Sequence, residues 1–130
     1  MISQKAINKV IAFPSRGRAK IGVFAIVNCI NKKVFIGSGD LQRRKTTNWS
    51  LLRAGKHHNQ KLQKEWNEFK EEHFKFVTLF EASSSDDMEF LNDCEAYWIS
   101  LTNAAELQHG YNTYKKTPTK RDFILRIEPM

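Results

Sequence analysis

The sequence predicts an α/β domain, a small central, mostly antiparallel sheet of three strands flanked by helices. Three observations predict it. Residues 21–38, IGVFAIVNCINKKVFIGS, read as a β-hairpin: two runs rich in Val, Ile and Phe, joined by a polar stretch over 28–33 and closed by Gly37 and Ser38. Residues 74–80, FKFVTLF, alternate as a third strand. Stretches with helical apolar spacing lie before and after that strand.

In the first hairpin run, Ile21, Val23, Ala25 and Val27 face one way, and Phe24 and Ile26 the other. A strand that is apolar on both faces is covered on both, so this run is expected at the centre of the sheet. Asp40 is a good N-cap for a helix over 41–53, which stops at Ala54 and Gly55. One stripe of that helix holds Leu41, Arg44, Asn48 and Leu51. An arginine on such a stripe either snorkels out to water or points into a pocket. Residues 56–59, KHHN, form a polar linker in which solvated histidines are the ordinary expectation. A second helix over 60–70 presents Leu62, Trp66 and Phe69.

The third strand places Phe74, Phe76, Thr78 and Phe80 on one face and Lys75, Val77 and Leu79 on the other. Residues 83–87, SSSDD, make a loop whose side chains can cap a helix over 87–101. Its stripe carries Met88, Leu91, Glu95, Trp98 and Ile99. A carboxylate among apolar residues is costly unless it meets a cation, a metal or hydrogen-bond donors. The alternative is a glutamate at the stripe's edge, paired with a lysine. Flanking this domain, taken as 21–114, are an N-terminal extension over 1–20 and a basic tail over 115–130. The extension has a short apolar helix over 2–12 and a basic loop over 14–18. The tail carries an apolar run over 123–127 that adds a strand, packs across the domain or stays loose.

The chain has 130 residues, which suits one domain. No apolar run approaches the roughly 20 residues that span a bilayer, and residues 1–20 do not read as a secretory signal. No membrane partner is expected, and the expected location is the cytoplasm or nucleoid of a host cell. Two cysteines, Cys29 and Cys94, exclude a disulfide framework and a zinc quartet, and fit free thiols in a reducing compartment. The net charge is +7 and is unevenly placed. Between 40 and 64 lie Arg43, Arg44, Lys45, Arg53, Lys56, Lys61 and Lys64, with Asp40 as the only acid. Such a segment suits a polyanion, and on charge alone it suits a solvated helix face equally well.

Gly22-Val23-Phe24 followed by Phe35-Ile36-Gly37 resembles the GIY…YIG hairpin of the GIY-YIG nucleases, with phenylalanine at both tyrosine positions. The resemblance covers about 22–112, and the elements arrive in the family's order. Arg44 falls on the catalytic arginine, with one residue deleted before the helix. Residues 55–59, GKHHN, with Leu62-Gln63, are similar to a GKHHN…LQ segment, and His57 takes the place of a histidine found at the site in one branch. Asn48 stands where a branch has a histidine. Residues 93–99, DCEAYWI, are similar to the ERE-x-[YF]-W-I helix and put Glu95 on the metal-binding glutamate. Asn112 matches the site asparagine that follows Gly-Tyr.

The resemblance implies phosphodiester cleavage with one divalent cation, Mg2+ or Mn2+, held mainly by Glu95. Arg44 is implied at the scissile phosphate. The implied site comprises Arg44, Glu95, His57, Phe24, Phe35, Asn48 and Asn112. Arg43, Lys45, Arg53, Lys56, His58 and Lys61 are the expected contacts to nucleic acid, above all double-stranded DNA. In the family a hairpin tyrosine helps to activate the attacking water. Phe24 and Phe35 cannot, and losing a general base typically slows a reaction by about 10²–10⁴. His57 and His58 are the remaining candidates for a base. Two functions follow from these residues. One is a metal-dependent DNA endonuclease of altered or weak activity. The other is an inactive GIY-YIG-like domain that binds nucleic acid or a protein partner. No separate DNA-reading domain is expected after 112. Phe24, Phe35, Arg44, Glu95 and Asn112 should converge on one concavity, with Arg44 and Glu95 on the same side of the sheet, and opposite faces would count against the resemblance.

Overall fold

Asp40 ends one element and starts the next. In the computed structural model, which describes residues 20–83 and 88–113, it is the last residue of a strand and the N-cap of a helix, its Oδ1 accepting from Arg43 N at 3.1 Å. The elements are β1 (Ile21–Asn28), β2 (Val34–Asp40), α1 (Leu41–Ala54), α2 (Gln60–Phe69), a 3₁₀ turn (Glu71–His73), β3 (Phe74–Glu81) and α3 (Met88–Thr102). Gly55 closes α1 at φ 75°, the left-handed region that favours glycine. Asn59 caps α2 by accepting from Leu62 N at 2.9 Å. The expected N-terminal helix and basic loop, the capping residues over 84–87 and the apolar run of the tail lie outside the described residues.

The sheet is three-stranded and antiparallel in the order β2-β1-β3, so β1 is central, as its two apolar faces require. Val23, Ala25 and Ile36 pack on one side with Phe90, Leu91, Cys94 and Ile99 of α3. Phe24 and Ile26 pack on the other with Leu41 and Leu52 of α1 and Leu62 and Trp66 of α2. Each Val, Leu, Ile or Phe side chain among them contributes roughly 1.5–3 kcal/mol when removed from water, and these two layers form the core. Cys29 and Cys94 are free thiols, Cys94 inside the α3 layer.

The structure corrects three details of periodicity. The buried positions of α1 are Leu41, Asn48 and Leu52, with Leu51 only half-buried, so the inward stripe is turned toward Leu52 and leaves Arg44 exposed. Met88 is 66% exposed because it opens the first turn of α3, ahead of the part that packs on the sheet. In β3 the alternation breaks. The register slips between Val23 and Phe24, so that Val23 faces Phe80 while Phe24 faces Thr78. Phe74 and Phe76 stay on the α1/α2 side, and Phe80 joins Leu79 on the α3 side.

Candidate active site

The strand order leaves β2 at an edge. The segment 109–112 covers its first half: Val34 N donates to His109 O at 3.2 Å and Tyr111 N to Val34 O at 2.9 Å. Asn112 then acts as a side-chain continuation of the ladder, accepting from Ile36 N at 2.9 Å and donating to Ile36 O at 3.0 Å. Beyond Ile36 the edge borders a cleft of about 480 Å3. Phe24, Phe35, Arg44, Glu95 and Asn112 all line it, from separate segments, as the sequence predicts. The expectation that Arg44 and Glu95 share one side of the sheet does not hold. α1 covers one face and α3 the other, and the two side chains meet around the edge strand.

Backbone geometry places the two charged groups. Gly39 sits at φ 136°, and a Cβ there would lie 2.6 Å from Nε of Arg44. The arginine therefore folds back over this glycine, and its Nε donates to Ser38 O at 3.1 Å. Gly37 serves Phe24 likewise, since a Cβ at 37 would lie 2.5 Å from Cζ of Phe24. Phe24 is also stacked on Phe76, ring centroids 4.7 Å apart. Glu95 is half-buried, at the edge of the apolar stripe and not within it, and its Oε1 accepts from Ser38 Oγ at 2.7 Å. Ser38 is not among the site residues that the sequence singles out. Its signal is its position next to Gly37, which sends its side chain to the α3 side of β2.

His57 is not the solvated linker residue that the sequence suggests. It is 5% exposed and does not line the cleft. Asn59 N donates to its Nδ1 at 3.0 Å, which puts the ring proton on Nε2, where Asn48 Oδ1 accepts it at 2.5 Å. Burial, then the neighbouring His58, lowers the His57 pKa to about 4, so the ring is neutral at physiological pH. Asn48 lines the cleft, but its amide is engaged twice, by His57 and by Arg44 O, to which its Nδ2 donates at 2.7 Å. Asn48 and His57 thus form a polar strut between α1 and the 56–59 linker. His58, in contrast, is exposed and lines the cleft.

Tyr111 is buried and extends a second polar cluster that sequence reading misses. Its hydroxyl donates to Glu65 Oε1 at 2.6 Å and accepts from Asn28 Nδ2 at 3.2 Å. Glu65 also accepts from Asn31 Nδ2 at 2.8 Å and pairs with Lys33 at 3.3 Å. Burial alone raises the Glu65 carboxyl pKa, but hydrogen bonds from Tyr111 and Asn31 and the Lys33 ammonium outweigh it and hold the group below its usual range. Asn59 ties this cluster to the cleft side, its Nδ2 donating to Tyr111 O at 2.7 Å.

The basic residues divide between surfaces. Lys45 and Arg53 line a shallow groove with Trp49, apart from the cleft. Arg53 is engaged by Glu71 through Nε–Oε1 at 2.9 Å and Nη2–Oε2 at 2.6 Å. Arg43 and Lys56 are exposed and Lys61 is half-exposed. Among the described residues no group of three or more His, Cys, Asp or Glu side chains is placed to hold a metal. What the cleft offers a cation is the Glu95 carboxylate. That suits a hard, mostly hydrated ion that takes its other oxygens from water and phosphate. No helix among the described residues is long and apolar enough to cross a membrane.

No family model matches the chain. Intron-associated endonuclease 1 of Enterobacteria phage T4 is 31% identical over 98 residues, a match that covers 72% of this chain and spans 36% of that protein's length. A variant of the catalytic domain of intron endonuclease I-TevI superposes with a TM-score of 0.65 at 28% identity, over 75% of this chain and 97% of that one. The catalytic domain of homing endonuclease I-TevI gives a TM-score of 0.64 at 27% identity, over 74% of this chain and 100% of the other. By sequence and fold together, this chain carries a GIY-YIG nuclease-like domain homologous to the I-TevI catalytic domain.

Proposed function

We propose that the domain is a metal-dependent DNA endonuclease that hydrolyses a phosphodiester bond in the cleft beside β2. The observation that carries this reading is the meeting of Arg44 and Glu95 in one cleft, although their helices lie on opposite faces of the sheet. Arg44 has its Nε tied to Ser38 O, which orients the rest of the guanidinium for a phosphate. In that role it stabilises the charge that develops on the phosphate oxygens. Glu95, oriented by Ser38, would hold Mg2+ or Mn2+. When bound, such a cation polarises the phosphate and offsets charge on the leaving oxygen. Asn112, with its amide on Ile36, keeps the wall of the cleft in register. The net charge of +7 and the exposed bases of α1 and the following linker favour duplex DNA as the partner.

One observation supports a second reading, an inactive domain that binds nucleic acid or a protein. Phe24 and Phe35 line the cleft with no atom able to move a proton. The two readings separate on supercoiled plasmid. The endonuclease reading expects nicked circles with Mg2+ or Mn2+, none in EDTA, and none with Arg44→Ala. Nicking that survives EDTA or the loss of Arg44 would sink it, and binding without nicking would favour the second reading.

A further inference from the structure

Among the described residues that line the cleft, the ionisable side chains are Arg44, His58 and Glu95. A guanidinium does not give up its proton in this pH range. Glu95 is the carboxylate proposed for the cation. His57 has both ring nitrogens engaged, one by Asn59 N–H and one by Asn48, and so has no lone pair to offer a water. His58 differs from its neighbour in every respect that matters. It is exposed, and its ring is held by a face and an edge. It stacks on His57 with centroids 4.4 Å apart and an interplanar angle of 22°. It meets Phe35, one of the two cleft phenylalanines, at 6.1 Å and 69°. Both contacts restrain the plane of the imidazole.

We propose that His58 is the general base of the cleft, standing in for the hydroxyl that Phe35 lacks. The inference rests on the endonuclease reading above. An imidazole nitrogen of His58 accepts a proton from the attacking water as the water oxygen forms its bond to phosphorus. The bond from phosphorus to the leaving sugar oxygen breaks, and that oxygen takes a proton from solvent. The imidazolium then returns its proton to solvent, so the net change is the addition of one water across the P–O bond. The rings packed on His58 are the neutral His57 and the uncharged Phe35, the charged groups that share its cleft are Arg44 and Glu95, and Lys56 is a chain neighbour but one.

The test is the pH dependence of plasmid nicking, with DNA affinity measured in parallel, for the wild type, His58→Ala and His58→Arg. The wild-type rate should rise with pH along one limb, as expected when a base must be deprotonated to act. His58→Ala should lose that limb, fall about 10²–10⁴-fold in rate at saturating protein, and recover in part with added imidazole, whatever DNA contact it also loses. His58→Arg keeps a positive charge for phosphate but no base, and should stay slow. A limb that persists in His58→Ala, or a rate restored by His58→Arg, overturns the inference while leaving a Glu95-dependent nuclease intact. A wild type that binds DNA and never nicks it overturns the nuclease reading and the inference together.

Discussion

Ser38 Oγ donates to Oε1 of Glu95 at 2.7 Å, so a side chain of the edge strand sets the aim of a carboxylate on α3. In a cation site, a partner of this kind typically changes metal affinity or activity by about 10–100-fold when removed. Ser38→Ala should therefore raise the half-saturating Mg2+ concentration for nicking by about that factor. The thermal midpoint should stay close to wild type, because Ser38 is only half-buried. An unchanged Mg2+ requirement would separate Ser38 from the cation.

His57 makes stability depend on pH. Its pKa is lowered from 6.5 to about 4, so the unfolded chain binds more protons between these values and stability rises with pH across them. Titrating downward from pH 6.5 to 4 should remove up to about 3 kcal/mol, read from urea midpoints. In His57→Gln that dependence should flatten. Glu65 adds its own loss as pH falls into the carboxylate range, since its pKa is also lowered and its contribution disappears as it protonates.

Gly37→Ala should disturb the hairpin from inside the cleft. The new Cβ would lie 2.5 Å from Cζ of Phe24, and that ring is held against Phe76. Overpacking of this kind typically costs about 1–3 kcal/mol. Chemical denaturation should show it, and Gly55→Ala is a useful contrast. There nothing lies within 4 Å of a Cβ, so any loss comes from the φ of 75° alone.

Binding to duplex DNA should weaken steeply with salt. Replacing Lys45, Lys56 and Lys61 together by Ala should lower the slope of log affinity against log salt, by up to about 0.9 for each phosphate that the variant no longer neutralises. Arg53→Ala should change it less, because Glu71 already engages that guanidinium. A slope unaffected by the three lysines would place the DNA elsewhere on the surface.

Much of this architecture is legible in the residues. The two-faced apolar pattern of β1 requires a central strand, and Asp40 and Gly55 mark both ends of α1. Convergence at the cleft is legible only through the resemblance, because no local pattern links Arg44 to Glu95. What stays hidden is set by tertiary contacts. The bulge in β3 moves Phe80 across the sheet, and an alternation pattern does not register a slipped pair. His57 and His58 are adjacent and alike in sequence, yet one is a buried strut and the other lines the cleft. Asn48 on α1, the Asn59 cap and Gln63 on α2, which accepts from His57 N, distinguish them. The Tyr111–Glu65 bond joins residues 46 apart in the chain, and no spacing rule relates them.

The most direct measurement is the conversion of supercoiled to nicked plasmid in Mg2+ and in Mn2+ by the wild type and by Glu95→Ala, at protein concentrations where both bind the DNA. If the cleft beside β2 is a nuclease site, the wild type nicks in at least one of the two metals. Glu95→Ala then binds with similar affinity and does not nick. A wild type that binds without nicking in either metal, or a Glu95→Ala protein that nicks as fast as the wild type, contradicts it.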